Sequence, residues 1–151
     1  MNPVIAAVLI FVSAECPVSN RYAPEIQRLY QEFAPKGVRF TLVYPNPSDD
    51  RVVIERHIRE YGLPSVVQPD PEHVLVRKAK ATVTPEAVVF DGRNRVLYQG
   101  RIDDRFVELG RERPVATQHD LRNALNAALS GRPAIPAKTQ AVGCFIADMR
   151  R

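Results

Sequence analysis

Residues 4–20 read VIAAVLIFVSAECPVSN, and the fold turns on how this stretch is understood. Residues 4–13 are an unbroken apolar run rich in Val and Ile, the pattern of a central strand covered on both faces. The run is too short to cross a bilayer, so no stable membrane insertion is expected. Val12, Ser13 and Ala14 have the small-residue form of a signal-peptidase site. No positively charged segment precedes the run, however, and cleavage there would strip the strand that presents Cys16.

Beyond Cys16 the period changes. Val18, Tyr22, Ile26, Leu29, Tyr30 and Phe33 recur at spacings of three and four, which predicts a helix over residues 17–34. Pro17 suits its first turn, where a missing N–H is no loss. Pro35 and Gly37 end it. Cys16 therefore stands where a strand ends and a helix begins. Free backbone N–H groups and the helix dipole favour negative charge there, so a thiolate is stabilised and the thiol becomes reactive. Ser19, one turn on, is expected to donate a hydrogen bond to the sulfur. Glu15 opposes the thiolate unless it points to solvent. The plain alternative is a buried cysteine acting as a small hydrophobe; its place at the junction favours a functional thiol.

Outward from this unit, residues 38–44 alternate, with Phe40, Leu42 and Tyr44 on one side, and read as a second strand. Residues 45–50 form a turn. A helix is expected over residues 51–61, with Ile54, Ile58 and Tyr61 inward and Gly62 and Pro64 as terminators. A strand–helix–strand connection implies a parallel pair. Residues 65–68 read as a short strand and residues 71–79 as a short helix behind Asp70. Residues 86–91 and 96–100 read as two strands joined through Gly92, Arg93 and Asn94. A last helix is expected from Thr117, with Asp120 completing a weak capping box and Leu121, Ala124, Leu125, Ala128 and Leu129 on one face. The fold class is α/β, a mixed sheet flanked by helices.

At this level the chain resembles the thioredoxin superfamily. Thioredoxins place Cys-x-x-Cys at a helix start, with a proline eight residues after the first cysteine. Here Cys16, Pro17, Val18 and Ser19 hold the motif position, and Pro24 follows eight after Cys16. The segment from Ala81 through Thr84, Pro85 and Glu86 to Gly92 resembles the cis-proline loop and the hairpin after it, which implies a cis Thr84–Pro85 bond. The extended form, with Pro69-Asp70-Pro71 and a short helix before Thr84-Pro85-Glu86, is most similar to bacterial redoxins, the alkyl hydroperoxide reductase/thiol-specific antioxidant proteins and the thiol–disulfide reductases. The resemblance implies a thioredoxin-like domain over residues 1–131 and a tail over residues 132–151 that carries Cys144 and packs on the domain. It also implies a substrate groove at Pro17, Thr84, Pro85 and Arg101, where an extended peptide pairs beside the cis-proline.

The departures direct the functional reading. Ser19 replaces the second motif cysteine, so there is no local dithiol. Cys144 is then the candidate distal resolving thiol, with a static bridge to Cys16 or simple packing as alternatives. Peroxiredoxins use Pro-x-x-x-Thr-x-x-Cys; Ser13 is a conservative threonine substitute, but Leu9 stands in the proline position, and Arg101 is the nearest match to their arginine. Copper chaperones of this fold need a cysteine where Asn20 stands, which argues against copper. His57, His73 and His119 read as isolated surface or interface histidines, and Asp103-Asp104 as a charged loop. No metal and no cofactor are expected. The expected function is a thiol–disulfide oxidoreductase with catalytic Cys16, Ser19 and Cys144. The alternatives are a peroxiredoxin-like peroxidase and a non-catalytic binding module that has kept only the groove. Its substrate would be a disulfide-bearing protein or a small oxidant, with an external thiol reductant.

Bulk properties exclude several other classes. The 151 residues suit one domain with a real core, at 45% hydrophobic and 25% charged. The net charge of +4 is spread among mixed-sign neighbours, and no basic run with interleaved aromatics points to nucleic acid. Two cysteines are too few for a disulfide scaffold or a cysteine-rich metal module. The compartment is left open, with disulfide chemistry favouring an extracytoplasmic (periplasmic) site over the cytoplasm.

Overall fold

In the computed structural model, which describes residues 5–146, the apolar run becomes β1 (Ala6–Phe11) at the centre of a five-stranded sheet. Its neighbours are β2 (Val38–Tyr44), in parallel, and β5 (Glu86–Asp91), antiparallel. With β3 (Val67–Pro69) and β6 (Val96–Gly100) at the edges, the order is β3-β2-β1-β5-β6. The mixed α/β sheet expected from the sequence is thus present. Val4 lies outside the described residues, as do those after Ile146. No helix among the described residues is long and apolar enough to cross a membrane.

The alternation of each strand sorts its side chains onto two faces. Val8, Ile10 and Val12 join Phe40, Leu42, Tyr44, Ala87, Val89 and Tyr98 in the larger core. Two helices cover it: α2 (Ala23–Phe33) through Ile26, Leu29 and Phe33, and α5 (Asp120–Leu129) through Leu121, Ala124 and Leu125. Phe11, Val43, Val88 and Phe90 point the other way. They meet Val76 and Ala79 of α4 (Val74–Ala79), together with Ile146 from the tail. One apolar side chain of the tail is therefore part of the second core.

The helix expected over residues 17–34 is two helices. α1 (Pro17–Arg21) stops at Tyr22, and α2 follows at once. Pro24 has no N–H to offer the carbonyl four residues back, so the ladder breaks there. α3 (Arg51–Tyr61) has the expected bounds, capped by the Asp50 carboxylate on the Val53 N–H at 2.9 Å and closed by Gly62 in the left-handed region. Its inward face is rotated from the expected one. His57 is buried, while Tyr61 is 42% exposed. α4 begins three residues later than expected because Asp70 folds its carboxylate over three amides, those of Val74, Leu75 and Val76, at 2.8–3.0 Å.

Three further features differ from the sequence reading. α5 starts at Asp120, not Thr117, because the Thr117 hydroxyl and N–H are taken by Asp104. The charged loop is a buried anchor: Asp103 accepts from the Tyr22 hydroxyl at 2.6 Å, and a small hairpin follows, β7 (Phe106–Glu108) with β8 (Arg111–Glu112). His57 and His73 are buried rather than on the surface, and only His119 is exposed.

Candidate functional site

Cys16 caps α1. Its sulfur accepts the Ser19 N–H at 3.4 Å, so a backbone amide does what the sequence assigned to the Ser19 hydroxyl. That hydroxyl oxygen turns away and accepts the Ser13 N–H at 3.3 Å. Ser19 is a brace of the turn, and its side chain does not reach the sulfur. Glu15 is exposed, as its compatibility with a thiolate requires, and Pro17 lies exposed in the first turn of α1.

Opposite Cys16 runs β4 (Val83–Thr84), which leads into the cis Thr84–Pro85 bond. The Thr84 carbonyl oxygen stands 3.3 Å from the Cys16 sulfur. Glu86, directly after the proline, fastens this loop from below. Its Oε1 accepts from Thr82 N at 2.9 Å, Thr82 Oγ1 at 3.3 Å and Val83 N at 3.3 Å, and its Oε2 accepts from Gln99 Nε2 at 2.8 Å. Arg101 lies among Pro85, Tyr22, Phe106 and Val142 around a gap too small for a water molecule, and its guanidinium is bound to Asp120 at 2.6 Å.

The tail completes the site. It first runs beside β6, where Gln99 N donates to Ala137 O and Thr139 N to Gln99 O, both at 3.0 Å. Gly100 permits this approach: a Cβ there would lie 2.2 Å from Thr139 Oγ1. The tail then turns onto the cis-proline loop. Its short strand β9 (Cys144–Phe145) pairs antiparallel with β4, Thr84 against Cys144, and Ile146 N donates to Thr82 O at 2.9 Å. Cys16 and Cys144 form a disulfide, with their Cα atoms 6.2 Å apart, within bridging range. Cys16 is 3% exposed, and Cys144 is only half-buried. The Thr84 hydroxyl beside this pairing is buried without a hydrogen-bond partner.

Behind the cysteine turn lies a network that the sequence reading missed. Tyr44 donates its hydroxyl to His57 Nδ1 at 2.8 Å, His57 Nε2–H donates to Asn20 Oδ1 at 2.7 Å, and Asn20 Nδ2 donates to Ala14 O at 2.9 Å. Asn20 is acceptor-only at Oδ1, which fixes the neutral tautomer of His57. Asp49 supports the same turn from a second side, accepting from Ala14 N at 3.2 Å and Ser13 Oγ at 3.4 Å; burial pushes its carboxyl up. A signal for Asn20 was available, since a polar side chain one turn into a buried helix needs partners. Nothing in the chain order pointed to His57 or Asp49.

Burial holds the His57 imidazole below its ordinary value, with Glu60 opposing weakly. The unfolded chain therefore takes up the proton first. Stability from this residue is full above about pH 6.5 and falls as the pH drops below it. Urea midpoints measured from pH 8 to pH 5 are expected to fall more steeply for the wild type than for His57→Gln. Parallel curves would remove His57 from the acid response.

Residues 5–99 match the model of the AhpC/TSA family. Among solved structures, an uncharacterized conserved protein from Geobacillus kaustophilus is 30% identical, with a TM-score of 0.82, over 94% of this chain and 76% of that one. A hypothetical protein from Sinorhizobium meliloti is 23% identical, also with a TM-score of 0.82, over 93% of this chain and 78% of that one. A putative thiol:disulfide interchange protein DsbE from Chlorobium tepidum shares the fold at 18% identity and a TM-score of 0.64, over 83% of this chain and 80% of that one. No curated protein matches the chain.

Proposed function

The chain belongs to the AhpC/TSA family, and on that footing we propose that it is a thiol–disulfide oxidoreductase with Cys16 as nucleophile and Cys144 as distal resolving cysteine. The observation that carries this reading is the disulfide between them, lying against the cis-proline loop. In the dithiol form the Cys16 thiolate attacks one sulfur of a protein disulfide. A Cys16–S bond forms, the substrate S–S bond breaks, and the departing sulfur takes a proton from water. The Cys144 thiolate then attacks the Cys16 sulfur, closes the bridge and releases the second substrate thiolate. Two electrons have passed to the substrate, and an external thiol reductant must return them.

The return step has a preferred direction. Cys16 is buried and Cys144 is half-buried, so an incoming thiolate reaches Cys144. Cys16 leaves, and its sulfur already accepts the Ser19 N–H that stabilises the charge. The DsbE-named neighbour from Chlorobium tepidum has the same fold, and its name agrees with this chemistry. A peroxidase would want an arginine at the thiol, whereas Arg101 pairs with Asp120 and makes no hydrogen bond to Cys16.

The test is thiol trapping by mass spectrometry after reduced protein meets glutathione disulfide, with the alkylation rate of Cys16 followed against pH. Cys144→Ser is expected to accumulate a Cys16–glutathione mixed disulfide, and Cys16→Ser to form no internal bridge. Cys16 is expected to alkylate well below the free-thiol value of about 8.5. Ordinary thiol titration with no trapped adduct would return Cys16 to a structural role. A bridge formed at least tenfold faster with hydrogen peroxide would transfer the oxidant class to peroxides.

A further inference from the structure

The tail does more than carry a second thiol, because it binds as an added strand on an edge that any extended peptide could use. β9 pairs antiparallel with Val83 and Thr84, and its first residue, Cys144, is joined to Cys16. A mixed disulfide between Cys16 and a substrate peptide on this edge would have the same connectivity. Resting on the thiol–disulfide reading above, we propose that residues 142–146 are a tethered copy of the substrate, and that the groove takes an extended peptide with glycine immediately before the reacting cysteine and an aliphatic residue two positions after it.

Each part of that pattern has a physical cause. At the position before the cysteine the tail has Gly143, where a Cβ would lie 1.9 Å from the Thr84 carbonyl oxygen. That oxygen belongs to the cis-proline loop, which Glu86 ties down at three atoms while Gln99 holds its other carboxylate oxygen, so the wall does not retreat easily. Directly after the cysteine, Phe145 is 62% exposed and the groove makes no demand. Two positions after it, Ile146 is 2% exposed, packed with Phe11, Val43, Val76, Val88 and Phe90, and hydrogen-bonded to Thr82 O at 2.9 Å. A charged or small residue there forfeits most of the burial that a full aliphatic side chain supplies.

The copy also sets the order of events. The tail and the substrate use the same edge, so the substrate docks only after the bridge is reduced and the tail has left. The resolving attack by Cys144 brings the tail back along β4, and the returning strand displaces the product as the Cys16–S bond to it breaks. Thiol exchange and strand exchange are one movement.

The experiment uses full-length Cys144→Ser in its reduced form and hexapeptides whose cysteine is activated as the mixed disulfide with thionitrobenzoate. The first peptide is the tail sequence Ala-Val-Gly-Cys-Phe-Ile; the others replace the glycine with valine or the isoleucine with aspartate. Attack by Cys16 forms the Cys16–peptide disulfide and releases coloured thionitrobenzoate, whose rate is the readout. Serine at 144 leaves any competition from the tail equal across the peptides. The valine peptide is expected to react at least tenfold more slowly than the tail peptide, and the aspartate peptide several-fold more slowly. Equal rates for all three, with the small disulfide of thionitrobenzoate itself reacting rapidly, would overturn the groove proposal and leave the thiol chemistry standing. Failure of that small disulfide to react would overturn both.

Discussion

Reduction of the Cys16–Cys144 bridge is expected to lower the unfolding free energy by about 2–5 kcal/mol. The two residues are 128 apart in sequence, so the bridge closes nearly the whole chain into one loop. In the chain-entropy model, whose mechanism is disputed, that closure is worth about 5 kcal/mol. For a chain of this length the melting temperature should fall by roughly 5–15 °C. Thermal unfolding with and without a phosphine reductant measures it, and Cys144→Ser supplies a control that cannot re-form the bridge. A fall of under about 1 kcal/mol would mean that Ile146 and the β4–β9 pairing hold the tail without the covalent link. The working cycle would then need the groove to open by another route.

The strand–helix junction at Cys16 was legible because both periods are strong on either side of it. The bounds of α3, β5 and β6 were legible for the same reason, helped by Asp50, Gly62 and the turn at Gly92. The break at Tyr22 was not, because its apolar residues keep helical spacing straight across the gap and only Pro24 betrays it. β4 and β9 are two residues each and meet across some sixty positions, so neither has a period to detect. His57 shows a further limit. Burying a histidine depends on partners from other elements, here Tyr44 on β2 and Asn20 on α1, and chain order does not announce them. The resemblance marked where a substrate strand would lie. What the chain order could not tell was that the protein's own tail lies there.

Gly143→Ala should separate the covalent part of this closure from the steric part. In the bridged form the new methyl would lie 1.9 Å from the Thr84 carbonyl oxygen, and the Cys144 linkage prevents the tail from backing away. In the dithiol form the tail is free to lift, so the clash penalises one redox state only. Overpacking of this kind costs about 3 kcal/mol, which is roughly a hundredfold in the equilibrium and ~60 mV in a two-electron couple. Equilibration with glutathione buffers of known potential, read by alkylation and mass spectrometry, should find the bridge that much easier to reduce. Melting of the fully reduced variant should match reduced wild type. If the potential is unchanged while both redox states lose stability, the reduced tail stays docked, and the opening of the groove is not governed by the disulfide. If the potential rises as expected, Gly143 is the residue that lets a resolving arm fit where a substrate strand belongs.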